Sequence, residues 1–264
     1  MKNNILLYIL FTYLATCHTL AQDWQWWPLG LTHENLSGDT LYYNAEILGV
    51  VSSGTYAPFW LQSNCNGNIS ASPYSGNISA GINKPATQPK RWYDYDFAVQ
   101  VTGRVQSDIP ISFAPYMKTF TGYFNQLYAH FRLYIIDVTA GINPITYESI
   151  DPQLSSGSMI FSGNSQPLPR ITIGIEDYIP FPGLYGYMEL KGGITHAWMP
   201  DNVYIQGCRL HHKFVGFRFG GRLPVNISYE FHHAAEWGGI SPVYGDVGSD
   251  LKSFINVFTA QAGG

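Results

Sequence analysis

A two-residue alternation of apolar and polar side chains recurs along most of this chain and restricts it, more than any other feature, to β-structure. From Asp94 to Gln106 one face reads Tyr95, Phe97, Val99, Val101, Gly103, Val105, and the other Asp94, Asp96, Ala98, Gln100, Thr102, Arg104, Gln106. The same pattern returns over Gln126–Ile135 and over Val225–His232. A period of two belongs to a strand with two different surroundings, and no helix can present it. Weaker runs at Leu41–Val50, Asn77–Asn83, Val138–Asn143, Arg170–Glu176, Tyr187–Trp198, His211–Phe219 and Leu251–Thr259 bring the expected total to about ten strands. The 27 glycines and 16 prolines punctuate them.

Two architectures fit such alternation: a soluble sandwich or lipocalin-like barrel with its apolar side inward, and a membrane barrel with its apolar side in lipid. Charge separates them. Only 12% of the 264 residues are Asp, Glu, Lys or Arg, and the polar faces carry Gln, Asn, Ser, Thr and Tyr where a soluble surface would carry Lys and Glu. The connections also alternate in length. Lys84–Trp92, Ile136–Asp137, Asp177–Tyr185 and Arg222–Pro224 are short, whereas Ser52–Gly76, Pro144–Pro169 and Ala235–Asp250 are long. Outer-membrane barrels have short periplasmic turns and long outer loops. The expectation is therefore an all-β chain, an antiparallel up-and-down transmembrane β-barrel in contact with outer-membrane lipid.

Residues 1–21 read as a cleaved export signal: Lys2, an apolar stretch Ile5–Thr16, and Thr19-Leu20-Ala21 before Gln22. Residues 22–39 read as a short periplasmic segment and 40–264 as the barrel, with the outer membrane as the location. Beyond Ala21 no run of eighteen apolar residues occurs, which excludes a helical membrane protein. A net charge of -4 without a Lys/Arg cluster excludes the usual nucleic-acid surface. Two cysteines survive cleavage, Cys65 and Cys208, a candidate disulfide at one rim in an oxidising compartment.

Several segments resemble one another's counterparts in a known family. Tyr42-Tyr43-Asn44-Ala45-Glu46, Ser53-Gly54-Thr55-Tyr56-Ala57-Pro58-Phe59-Trp60-Leu61-Gln62-Ser63-Asn64, Asn125-Gln126-Leu127-Tyr128-Ala129, Leu154-Ser155-Ser156-Gly157 and Phe161-Ser162-Gly163-Asn164-Ser165-Gln166-Pro167-Leu168-Pro169-Arg170 occur in an order that resembles the Wzi family of capsule assembly proteins, its Bacteroidetes-type members above all. The resemblance implies a non-catalytic outer-membrane lectin that retains capsular polysaccharide at the cell surface. Its barrel has about eighteen strands, so the resemblance further implies a truncated or split copy, a partial barrel with open edges. The N-terminal helical bundle of the best-studied family form has no counterpart in Gln22–Asp39.

Independently of the family, aromatic residues in the long connections could stack on sugar rings, with amides beside them for hydroxyl groups. Trp60, Asn164, Arg170 and Trp237 are the candidate glycan contacts. Glu46, Asp94, Asp96, Glu189 and Glu230 share the polar face with Arg104, Arg132, Lys191 and Arg218, a mixed-sign set that would pair and occlude a lumen. A diffusion channel is the alternative, and an outer-membrane hydrolase a more distant one. Gly163-Asn164-Ser165-Gln166-Pro167 misses the nucleophile-elbow pattern at its last residue. Strand alternation sends the neighbours in His211-His212 and His232-His233 to opposite faces, so neither a metal nor another cofactor is expected.

Overall fold

The computed structural model describes residues 40–87, 92–107, 120–144, 158, 160–200, 205–221 and 223–261, so the expected export signal and periplasmic segment lie outside the described residues. The chain is all-β in its regular structure. Nine strands hydrogen-bond in sequence order: β1 (Tyr42–Val51), β2 (Tyr74–Lys84), β3 (Tyr93–Gln106), β4 (Phe120–Leu133), β5 (Ile136–Ile142), β6 (Pro169–Pro180), β7 (Met188–Trp198), β8 (Arg209–Phe219) and β9 (Ile227–Trp237). The order is linear, with β1 and β9 at its ends. A four-residue helix α1 (Phe59–Gln62) interrupts the connection after β1, and a two-residue pair, β10 (Ile240–Ser241) with β11 (Gly245–Asp246), follows β9.

The tenth expected strand is a helix, α2 (Leu251–Phe258). Asp250 caps it by accepting the Ser253 amide at 3.0 Å, and hydrogen bonds from the Ser253 side chain and then its amide hold the Asp250 carboxyl below its ordinary range. Apolar residues at 251, 254, 255, 257 and 258 follow the 3.6-residue period rather than the two-residue one.

The chain divides into two units, Met1–Pro85 with Phe97–Tyr128 and Ile142–Pro167, and Ala86–Asp96 with Ala129–Gly141 and Leu168–Gly264. In the first, β1, β2 and β3 align so that Glu46, Ser79 and Thr102 form one cross-strand row and Leu48, Asn77 and Arg104 the next. Tyr43, Ile47, Ile78, Val101 and Val105 point the other way, and they are the exposed ones: Tyr43 is 78% and Ile47 74% exposed. Asn77, Ser79, Gln100, Thr102 and Gln106 are buried, with the Ser79 and Thr102 hydroxyls 2.7 Å apart.

The second unit repeats this inversion. Ile173, Ile194, Ile227, Tyr229 and Phe231 are exposed, while Asp137, Thr139, Lys191, Thr195 and His212 are buried. Register alone assigns the faces: Glu189, Arg218 and Ser228 share one row, and Lys191, Gly216 and Glu230 the next. A bulge in β6 shifts the ladder between Ile175 and Ile179, so that Glu176, Asp177 and Tyr178 together oppose Lys191. Bulges re-aim side chains, and this one turns Asp177, which shares the parity of exposed Ile173, to Arg132 on the polar face.

Candidate functional site

In the first unit, two segments far apart in sequence meet. The connection after β1 turns through Asn64, Asn66 and Gly67, all at positive φ, and lies against residues 163–166. The Asn64 amide donates to Asn164 Oδ1 at 2.8 Å and the Asn66 amide to Gly163 O at 2.6 Å. At Gly67 a Cβ would fall 2.7 Å from the Gln166 nitrogen, so only glycine permits this approach. Ser162, Asn164, Ser165 and Gln166 remain exposed. Earlier in the same connection Tyr56, Phe59 and Trp60 are exposed, Trp60 at 67%.

The far side of this connection is fastened to the polar face of the sheet. Arg104 on β3 donates to Asn77 Oδ1, to Asn68 O at 2.9 Å, and to Gly67 O, and its guanidinium lies 4.8 Å from the centre of the Tyr123 ring. Asn77 donates to Asn68 O, and Ser70 to Gln106 Oε1 at 2.6 Å. Ser70, Ser72 and Asn68 are buried as a result. Glu46 is half-buried on the same face, where β1 aligns it with Ser79.

The second unit holds the charge network. His130 lies between Asp96 and Asp137, its Nε2 3.0 Å from Asp137 Oδ1. Arg132 bonds Asp137 at 2.7 Å and Asp177 at 2.8 Å, and Asp137 is 1% exposed. Asp94 is occupied differently: it accepts from the Thr87 amide at 2.6 Å and the Thr87 hydroxyl at 3.0 Å, fastening the turn before β3. Lys191 meets Glu230 at 2.6 Å, and Arg218 meets Glu189. Both cations also face the Tyr178 ring, 4.6 and 4.4 Å from its centre. Pairing by sign is thus the rule on this face, although His130 and Asp177, essential to it, are absent from the set read out of the sequence. His130 lies on a strand whose parity is legible and Asp177 in what reads as a short connection, and the partners of both depend on register and on the β6 bulge.

Among the candidate glycan contacts, Trp60 and Asn164 are exposed and Arg170 and Trp237 are buried. Trp237 stacks with Arg209, 4.9 Å from its ring, and with Phe254. The structure forms no disulfide between Cys65, in the first unit, and Cys208, in the second. Each is engaged locally, Cys65 Sγ with Leu61 O at 3.2 Å and Cys208 Sγ with Arg209 O at 3.8 Å. Burial pushes the Cys208 thiol up and leaves it unreactive.

Among the described residues, His130, Asp137 and Glu176 are the group whose ligand atoms lie within 4.8 Å of one another. Both His130 nitrogens already face carboxylates and Arg132 already pairs with Asp137, so these ligand atoms are engaged by protein partners. A pocket of about 370 Å³ lined by Gly186, Glu189, Arg218, Gly221 and Asn226 opens at the short-turn end of β7 and β8. Its two charged walls are paired with each other.

No family model, curated protein or solved structure matches this chain.

Proposed function

We propose that this protein is an outer-membrane β-barrel protein that holds surface polysaccharide without cleaving it. The membrane half of the reading rests on one observation, the inverted polarity of the sheet: apolar side chains exposed and polar ones buried in both units. In water this arrangement forfeits the hydrophobic driving force. In hydrocarbon each exposed Ile, Phe or Val regains roughly 1.5–3 kcal/mol relative to water, and the buried polar groups keep their own hydrogen bonds. No helix among the described residues is long and apolar enough to cross a membrane.

The glycan half draws on the resemblance to Wzi proteins and on the junction of its two motifs, where exposed Trp60, Phe59 and Tyr56 belong to the connection that Asn164 and Gly163 clasp. Flat aromatic faces beside amides are the usual means of gripping sugars. Paired charges on the polar face and a connection folded against it favour an occluded interior over a diffusion channel.

Deletion of the gene tests the reading. Polysaccharide synthesis continues and the polymer appears in the medium, and a Trp60→Ala allele shifts the balance the same way by several-fold. Unchanged cell-bound polysaccharide in the deletion strain overturns the glycan reading, and loss of total polysaccharide points to synthesis instead.

A further inference from the structure

The exposed face of β7–β9 changes character toward the ends formed by Trp198, Arg209 and Trp237. Register puts His196 opposite His211, and His233 opposite Lys213, on the same face as Ile194, Val215 and Phe231. Helix α2 lies over this patch. Phe254 meets His196 and His211 edge-on, with ring centres 6.0 and 5.8 Å apart, and Phe258 reaches His211 at 5.6 Å. Lys213 donates to Phe258 O and sits 5.3 Å from its ring, capping the carbonyl end of the helix.

His211 is fully buried, and neither of its ring nitrogens has a partner. His196 Nδ1, His233 Nδ1 and Trp237 Nε1 are likewise buried and unpaired. A buried polar group without a partner is rare and costly, and here several lie under one eight-residue helix. The charged groups that face them are cations, Arg209 and Lys213 on β8. The acids of the leading connection are engaged elsewhere, Asp246 with the Gly248 amide at 2.9 Å and Asp250 with Ser253. Alternation sends Glu236 to the other side of β9.

We propose that α2 is an acid-released cover: it docks while His196 and His211 are neutral, and protonation of these imidazoles expels it and uncovers a cationic patch. A neutral imidazole suits the edge of a Phe ring. An imidazolium there stands beside Arg209 and Lys213 with no carboxylate among the described residues to accept from it, and it can regain water only by displacing the helix. The inference depends on the packing within the second unit and not on the membrane or glycan reading.

Hydrogen exchange of the refolded full-length protein in detergent tests it, with intrinsic rates corrected for pH. Between pH 8 and pH 5 the protection of peptides covering Leu251–Phe258 falls at least about tenfold, while peptides covering Arg209–Phe219 keep theirs. In the variant His196→Gln, His211→Gln, which cannot take up the protons, α2 stays protected at pH 5. His211→Phe, which keeps an aromatic ring against Phe254 and Phe258, moves in the same direction. Three results overturn the proposal: equal α2 protection at both pH values in the wild type, loss that persists in the double variant, or loss shared with β8, which would mark general acid unfolding.

Discussion

Asp137 carries more of the polar face than any neighbouring side chain. It is 1% exposed, accepts from Arg132 at 2.7 Å and from the Glu176 amide at 3.3 Å, and stands 3.0 Å from His130. A charge so deeply placed is tolerable only while its partners remain, and removing one member of such a set costs about 3–5 kcal/mol because the others are left uncompensated. Asp137→Ala is therefore expected to lower the unfolding free energy of the detergent-refolded protein by that order, read as a lower urea midpoint, and Asp137→Asn, which keeps the shape and one acceptor, by less. Equal midpoints for wild type and Asp137→Ala would show that Arg132 and His130 are held by other contacts. The sequence puts Asp96, Arg132 and Arg104 among the alternate polar positions of their strands, but not who meets whom: Arg104 bonds backbone carbonyls of the first connection, and Asp96 meets His130. Parity is a property of one strand, whereas a partner is a property of register between strands.

At the scale of elements the strands were legible and the rest was not. Expected Asp94–Gln106 against observed Tyr93–Gln106 shows how strong an alternating run is as a signal. Strand β9 runs five residues past His232, because Ala234 and Ala235 blur the contrast between its faces without breaking the ladder to β8. The segment expected as a strand at Leu251–Thr259 is a helix, because Leu251, Phe254, Ile255 and Phe258 have helical spacing and Asp250 supplies the cap, two signals stronger than the partial alternation. The motifs around Asn64 and Asn164 stood out in the sequence, but their contact is a tertiary fact. The connection after β1 gave no sign that it would fold against the sheet, because its anchors are mostly its own backbone carbonyls at Gly67 and Asn68. Arg104→Ala removes their shared donor, so chymotrypsin is expected to cut at Tyr56–Leu61 at least several-fold faster with the strands intact, and Arg104→Lys to fall between. An unchanged cleavage rate would mean that Ser70, Asn77 and the junction with Asn164 hold the connection alone.

For the whole molecule the account turns on which solvent the exposed face meets. Low charge and alternation already pointed to lipid, and the burial pattern supplies the sense of the alternation, which periodicity cannot: Ile47, Ile78 and Phe231 outward, Thr102, Asp137 and His212 inward. Spin labels placed one at a time along β9 of the protein reconstituted into phospholipid vesicles read this directly. Labels at Ile227, Tyr229 and Phe231 are predicted to collide readily with oxygen and weakly with a water-soluble nickel chelate, while labels at Ser228, Glu230 and His232 show little access to oxygen, giving a period of two along the strand. Labels at Ile227, Tyr229 and Phe231 that meet the nickel chelate as freely as solvent, or a protein that stays out of the vesicles, would contradict the membrane reading.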